Sequence, residues 1–320
     1  MSIITGENPN AWGVRGVNWW RTDEMGAMIN GLLVIDKPGG MTSRDVVNRV
    51  QKWFPRKTKI GHTGTLDPLA TGVLVVCVGA ATRLADIVQA MGKSYASRFR
   101  LGATSTTDDA DGTVSVEAAA VPPTREAIDN ALSAFLGTVE QVPPAYSAMK
   151  VDGDRAHKLA RQGKVVELLP RPVRIDSIRV TRYDWPFLDV EVDCGKGTYI
   201  RSIARDLGAR LGCGGIVETL RRTRVGPFTP DLGVGLDVAA EEARTRLLPM
   251  SVALAGMPEV RFTDTEVTRF RTGQIIRAES SRESPPPEGV EVAVVGDEGR
   301  LVGIGRVVRS AVKPKLVFNK

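Results

Sequence analysis

The sequence is poor in the side chains from which metal centres and disulfide frameworks are built. Its 320 residues include two histidines, His62 and His157, and three cysteines that lie far apart in the chain. No CxxC or HxxxH spacing occurs, so a zinc site of the usual kind is excluded and no metal is expected. An odd number of cysteines without a framework pattern indicates a reduced, cytoplasmic compartment.

Long apolar runs are also missing. No segment approaches the roughly 20 apolar residues that a membrane helix needs, and the amino end lacks the pattern of a secretory leader. What is present is the composition of an ordinary globular protein, with 42% hydrophobic and 25% charged residues. The net charge of +6 leaves a polyanion such as nucleic acid open as a partner.

Pattern changes divide the chain into three parts. Residues 1–27 hold three of the five tryptophans without a helical or strand period. We expect this stretch to be a disordered tail or the product of a start codon placed too far upstream. Residues 28–254 carry strong periodicity and form the main domain, and residues 255–320 show the short strands and turn signals of a small β-rich module.

Strands and helices alternate irregularly in the main domain. Period-2 patterns predict half-buried strands at residues 95–101 and 188–194, whereas apolar spacing predicts amphipathic helices at residues 42–54 and 200–211. Regular βαβ units do not appear. The predicted fold class is therefore α+β with a mixed sheet.

The densest cluster of chemistry-bearing residues is the segment GHTGTLDPLATG at residues 61–72. Spacing alone favours an ordinary structural role for Asp67, because Asp followed by Pro68 is a common start of a helix. An arginine such as Arg201 in a first helical turn is usually solvated. Tyr95 and Leu220 lie on apolar faces and fit core packing equally well.

Several motifs together resemble the TruB family of tRNA pseudouridine synthases. The segment at 61–72, with VIDKP at 34–38 before it, resembles the family's catalytic loop. Further blocks follow in the family's order over residues 31–230: KSY at 93–95, DADG at 109–112, PPAYSAMK at 143–150, GTYIR at 197–201 and LRR at 220–222. The resemblance implies the pseudouridine synthase fold, with a central mixed, largely antiparallel sheet flanked by helices and a carboxyl-terminal PUA-like module.

The resemblance also implies an isomerase, a synthase of pseudouridine at uridine-55 in the T-loop of tRNA, which flips the base out and needs no cofactor. The base–sugar bond must break and re-form through carbon. Asp67 matches the family's nucleophile. Whether it attacks the sugar or acts as a base stays open.

Family positions give roles to the other candidates. Arg201 matches the arginine that holds the catalytic aspartate ionised, and Tyr95 matches the tyrosine that stacks on the target base. The remaining matches are substrate-contacting Tyr199 and Leu220, His62 in the space left by the flipped uridine, and Lys37, which with Asp36 supports either the catalytic loop or a phosphate.

Two basic runs are candidates for phosphate contacts, although such runs usually form only solvated surfaces. They are Arg221, Arg222 and Arg224 in the first run, and Lys150, Arg155, Lys158, Arg161 and Lys164 in the second. His157 stands in the second run where the family usually has a tyrosine. The carboxyl-terminal module is expected to grip the acceptor end of tRNA or, alternatively, to act as a stabilising β cap.

Three hypotheses remain for the whole chain. In the first, a monomer modifies the T-arm of tRNA in the cytoplasm, without guide RNA, protein partners or membrane contact. In the second, the chain is the catalytic subunit of a guide-RNA particle. In the third it is a non-catalytic RNA chaperone, which would have no need of Asp67, Tyr95 and Arg201.

Overall fold

The computed structural model describes residues 29–147, 149–151, 154–155, 168–277 and 286–318. The expectations for residues 1–27 and for His157 lie outside these residues. So do those for the second basic run, of which Lys150 and Arg155 are described in their backbone alone.

The main part of the described chain is built on one eight-stranded sheet. Its strands are β1 Gly31–Lys37, β2 Ile60–His62, β3 Thr71–Val78, β4 Lys93–Leu101, β7 Gly137–Gln141, β10 Arg171–Asp184, β11 Phe187–Cys194 and β12 Gly215–Val225. The order is β1–β3–β12–β4–β11–β10–β7, with β2 beside β3. All pairs are antiparallel except β12 with β3, so the prediction of a mixed, largely antiparallel sheet is confirmed.

Short elements connect and cover this sheet. Two hairpins stand apart from it, β5 Ala103–Ser105 with β6 Val114–Val116 and β8 Lys150–Val151 with β9 Asp154–Arg155. The described helices are α1 Ser43–Gln51, α2 Ala85–Ala90, α3 Arg125–Ser133, α4 Ile200–Arg210, α5 Ala240–Thr245 and α6 Asp264–Arg271, with 3-10 turns at Gly79–Leu84, Pro230–Leu232 and Met250–Leu254. None of these helices is long and apolar enough to cross a membrane.

Local sequence explains several of these elements. Either Thr42 or Ser43 could cap α1 by residue type, and the structure uses Thr42, which forms a reciprocal capping box with Asp45. Strand β4 alternates strictly between buried and less buried side chains. Strand β12 has no such alternation, because register shifts interrupt it after Val217 and after Arg222, and the sequence gives no sign of it.

Alternating side chains give the central sheet two different faces. The inner face, which includes Leu33, Ile35 and Phe99, packs under α1, α3 and α4. On the outer face near β1 and β3, Leu32 and Val34 belong to a core shared with the carboxyl-terminal strands. The catalytic-site candidates gather on the inner side.

A second sheet follows the 3-10 turn Met250–Leu254, near the boundary expected at 254–258. Its strands are β13 Glu259–Phe262, β14 Glu291–Gly296, β15 Leu301–Val308 and β16 Ala311–Val317, in that order. This sheet has a core of its own with α6. It also contributes Ile304 and Phe318 to the outer-face core, and the guanidinium of Arg83 lies over the Phe318 ring.

Candidate active site

The segment 61–72, here called the catalytic loop, runs from β2 into β3. Side chains of β1 and α1 hydrogen-bond to its backbone. The Lys37 ammonium, fully buried, donates to the carbonyl oxygens of Pro68 at 3.2 Å and Pro38 at 2.8 Å. The Ser43 hydroxyl accepts from the backbone N–H of Leu66 at 2.8 Å. These contacts fix the backbone on both sides of Asp67.

Burial favours one of the two roles left open for Lys37. Its side chain is 0% exposed, and desolvation lowers its pKa to about 8. In this structure the ammonium binds backbone carbonyl oxygens at Pro38 and Pro68, which fits support of the catalytic loop better than contact with a phosphate. The substrate contact expected for Lys37 stays a prediction.

Arg222 supports the same loop from β12. Its guanidinium donates to the carbonyl oxygens of Val73 at 2.7 Å, Gly64 at 3.2 Å and Thr65 at 3.4 Å. The strand approaches so closely that a Cβ on Gly72, which has φ of +96°, would lie 2.2 Å from the Arg222 carbonyl oxygen. Only glycine fits here.

The expectation that Arg222 contacts phosphate is wrong, because the side chain is 2% exposed. Its neighbours in the first basic run are neutralised by acidic partners. Arg221 makes two hydrogen bonds of 2.9 Å to Asp36, and Arg224 lies 3.2 Å from Asp193. A run of arginines in sequence is thus divided among three different environments.

The structure brings Asp67 and Arg201 together, as the resemblance implies. Arg201 Nε lies 2.9 Å from Asp67 Oδ2. The arginine is 4% exposed in its side chain, and the aspartate is 31% exposed. The pair therefore has a charged partner sealed in the protein and a carboxylate that remains accessible from one side.

A second carboxylate joins this pair, and sequence reasoning did not assign it a role. Asp109 Oδ2 lies 3.5 Å from Arg201 Nη1, with a side chain only 4% exposed. Arg201 also donates to the carbonyl oxygens of Thr107 at 2.8 Å and Tyr146 at 3.0 Å. The DADG block at 109–112 was a signal in the sequence, but its proximity to α4 depends on the tertiary fold.

Electrostatics at Asp67 combine two opposing effects. Burial raises the pKa of its carboxyl, and the positive charge of Arg201 lowers it, while Asp109 raises it further. The net direction is upward. Arg201 thus restrains a shift that burial would otherwise make larger, and this is how the pair keeps a carboxylate available in a partly dry site.

Tyr95 and Leu220 approach this centre from the sheet. They lie on β4 and β12, and their residues are 8% and 7% exposed. Burial raises the pKa of the Tyr95 phenol. Tyr95 is therefore a neutral ring, and it belongs to the same apolar core as Leu66 of the catalytic loop.

His62 and Tyr199 complete the set of predicted residues. His62 ends β2, and its pKa is lowered by burial and by the charges of Arg44 and Arg222, so the imidazole is neutral at physiological pH. Tyr199 is the N-cap residue of α4, and burial raises the pKa of its phenol.

A carboxylate held by an arginine, with an aromatic ring beside it, can stabilise or trap positive charge at a sugar carbon. Metal ligation has no support in the geometry. Among residues 29–147, 149–151, 154–155, 168–277 and 286–318, no group of three His, Cys, Asp or Glu side chains could hold a metal ion.

Comparison with known proteins agrees with this geometry. Three family models match: TruB family pseudouridylate synthase (N terminal domain) over residues 52–200, tRNA pseudouridylate synthase B C-terminal domain over residues 201–255, and Pseudouridine synthase II TruB, C-terminal, over residues 258–318. Together these matches cover both sheets except for strand β1, which precedes residue 52.

Curated relatives extend the match over nearly the whole chain. The tRNA pseudouridine synthase B of Ruegeria sp. (strain TM1040) is 42% identical over 92% of this chain and 98% of its own length. That of Cereibacter sphaeroides is also 42% identical, over 92% of this chain and 98% of its own length.

A solved structure supports the fold. It is an H/ACA RNP bound to a substrate RNA containing 2'-deoxyuridine, and one of its chains aligns with a TM-score of 0.69 at 24% identity, covering 91% of this chain and 85% of that one. Identity this low shows a shared fold alone. The curated relatives and the family models show that the chain belongs to the TruB family of pseudouridylate synthases.

Proposed function

We propose that this protein is a tRNA pseudouridine synthase that converts uridine-55 in the T-loop of tRNA into pseudouridine. The observation that carries the proposal is the ion pair of 2.9 Å between Asp67 and Arg201, set on a loop braced by Lys37, Ser43 and Arg222. Its relatives are tRNA pseudouridine synthases. An accessible carboxylate beside a buried guanidinium is what cleavage of a base–sugar bond requires.

The proposed reaction is an isomerisation with no net oxidation. The bond between C1′ and N1 of the uridine breaks, the base turns, and a bond forms between C1′ and C5. The C5 proton is lost, and N1 takes up a proton in the product. Asp67 stabilises the electron-poor C1′ or bonds to it, and can instead remove a sugar proton.

The surrounding side chains would receive the base once it has left the helix. Tyr95 stacks on the pyrimidine, because an aromatic face tolerates a turning ring without fixing its hydrogen bonds. Tyr199 and Leu220 form further walls of the pocket. Neutral His62 occupies the place of the flipped nucleotide without adding charge to the RNA contact.

We further propose that the enzyme acts as a monomer in the cytoplasm, without guide RNA or protein partners. Cys77, Cys194 and Cys213 are buried free thiols, in keeping with a reducing compartment. We keep the division into a catalytic domain at 28–254 and a module at 255–320, which grips the acceptor end of tRNA. The core shared through Ile304 and Phe318 would hold that module at a defined distance from Asp67.

Label release from tRNA tests the proposal. An unmodified transcript labelled with tritium at uridine C5 is incubated with the purified chain alone, and released label is counted. We expect turnover from wild type and none from Asp67→Asn. Asp189→Asn is the matched control, since this carboxylate lies on the outer face in an ion pair with Arg98.

Three results would overturn the proposal. Release that persists in Asp67→Asn would refute the role of Asp67, and a wild type active only with added guide RNA would favour a particle subunit. Tight tRNA binding without any release of label would favour a chaperone.

A further inference from the structure

Helix α4 carries two arginines one turn apart, and both reach the same pair of loops. Arg201 donates to the carbonyl oxygens of Thr107 and Tyr146. Arg205 lies 3.1 Å from Asp108 Oδ2 and donates to the carbonyl oxygen of Val142 at 2.8 Å. Side chains four residues apart share one helix face. The two guanidiniums therefore lie side by side, and each contacts both the loop at residues 107–111 and the loop at residues 142–146.

The first of these loops is the acidic turn, residues 107–111, and its shape sets the position of Asp109. Asp108 has φ of +60°, a left-handed conformation that is uncommon without glycine. The Asp108 carbonyl accepts from Val217 N–H at 3.1 Å, and Ala110 N–H donates to Val217 O at 2.9 Å. The left-handed backbone at Asp108 is thus hydrogen-bonded to β12, and the Asp108 side chain pairs with Arg205 of α4.

The carboxylate of Asp109 depends on the same turn. It accepts from the Thr107 hydroxyl and from the backbone N–H of Asp111, the latter at 3.2 Å. Because Asp109 touches Arg201 at 3.5 Å, a displacement of the turn would move the guanidinium that faces Asp67. The ion pair between Asp108 and Arg205 is next to these contacts, because Asp108 directly precedes Asp109 in the acidic turn.

The ion pair between Asp108 and Arg205 is partly shielded from solvent, but Asp206 also binds the Arg205 guanidinium. Arg205 is 29% exposed and Asp108 is 18% exposed in the side chain, so screening of the pair is reduced. Asp206 also binds Arg205, with Nε 2.8 Å from Oδ1. One guanidinium therefore joins Asp108, Asp206 and the Val142 carbonyl.

We propose that Arg205 and Asp108 are a positioning pair that holds the acidic turn against helix α4 and so aligns Arg201 with Asp67 for catalysis. Neither residue touches the reacting atoms in this assignment. The inference rests on the proposed function, because the alignment matters only where Asp67 does the chemistry.

Single-turnover kinetics on labelled tRNA test the pair with Arg205→Gln, Asp108→Asn and the double variant. Asparagine tolerates a left-handed φ, so Asp108→Asn removes the charge without straining the turn. We expect the chemical rate to fall by roughly tenfold in each variant, and tRNA affinity to stay within about twofold of wild type. The double variant should lose no more than the worse single variant, and Arg205→Lys should recover part of the rate.

Arg210→Gln is the control, because this arginine lies on the same helix over the Phe135 ring and away from the turn. Amide hydrogen exchange at Ala110 and Val217 gives a second readout that needs no activity. Protection should fall in Arg205→Gln and Asp108→Asn but not in the control. If Arg205→Gln unfolds, Asp108→Asn decides.

Several outcomes would overturn the pair. These are chemical rates within twofold of wild type with unchanged amide protection, a loss that appears wholly in tRNA affinity, or a double variant that loses the product of the two single losses. If wild type itself releases no label, the proposed function fails, and exchange alone then shows whether the pair holds the turn.

Discussion

Arginines on the two faces of the central sheet differ in their exposure to solvent and in the groups they bind. On the inner face Arg222 is 2% exposed and binds the carbonyl oxygens of Gly64 and Thr65 in the catalytic loop and of Val73 after it. On the outer face Arg98 and Arg224 stay partly exposed, and each is paired with an aspartate of β11. The buried guanidinium of the inner face holds backbone carbonyl oxygens in place, whereas each arginine of the outer face neutralises the charge of an aspartate.

A register shift produces this difference within three residues. Arg222 pairs in register with Tyr95 and Arg224 with Ser94, which point to opposite faces of β4. An extra residue in the strand moves every later side chain to the other face. The lesson is that a basic run identifies a candidate RNA surface only when its strand register is known.

The largest expected effect separates catalysis from stability at Asp67. Asp67→Asn should lower the single-turnover rate by about 10⁴-fold. The free energy of unfolding should stay unchanged or rise, since burial raises the pKa of this carboxyl and its ionised form therefore costs the folded state stability above that pKa. Urea denaturation with both proteins at neutral pH checks this, and a clear loss of stability would contradict it.

Arg222→Gln should destabilise the fold most among the arginine variants. It leaves the carbonyl oxygens of Val73 and Gly64 without their buried donor, at a cost of about 3 kcal/mol. Urea midpoints provide the measurement. A loss no larger than that of Arg224→Gln would erase the distinction between the two faces.

The acid limb of the rate profile tests the inner-face electrostatics. The proposed function needs Asp67 as an ionised carboxylate, and its pKa is raised, so single-turnover activity should fall with decreasing pH already above the ordinary aspartate pKa of about 4. Arg201→Gln removes the charge that lowers this pKa, so the limb should move to higher pH. Arg201→Lys keeps the charge and should move it less, and a downward shift in Arg201→Gln would reverse the assignment.

The smallest effects belong to the outer face. Arg224→Gln and Arg98→Gln break ion pairs whose arginines are 43% and 41% exposed, so each should cost about 0.5 kcal/mol after screening by solvent. The cost should shrink further at high salt. If either variant lost several times this free energy of unfolding and the loss did not change with salt, these pairs would stabilise the fold by more than exposed ion pairs do.

Much of the local structure was predictable from neighbouring residues. The cap of α1 at Thr42 and the alternation of β4 follow from short-range patterns. Residues 80–91 have the apolar pattern of a helix, but the structure there is less regular, a 3-10 turn at Gly79–Leu84 followed by the short helix α2. Strand β12 escaped prediction, because its two register shifts depend on which strands lie beside it.

The same division holds for the site. The order of motifs marked Asp67, Tyr95 and Arg201, and the structure places them around one loop. Asp109 and Ser43 carried no role in the sequence, since their contacts join segments far apart in the chain. For Lys37 the sequence left two roles, and only burial favours one of them.

By itself the sequence determined the class of protein, the α+β fold and the segment that carries the proposed catalytic aspartate, because periodicity and motif order are local properties of the chain. The tertiary structure alone decided which charges are buried and what they bind. Arg222 lies beneath the catalytic loop, and Arg221 pairs with Asp36 on the other side of the sheet. Solvation of a charge depends on what packs around it, and that is set by strands that are distant in sequence.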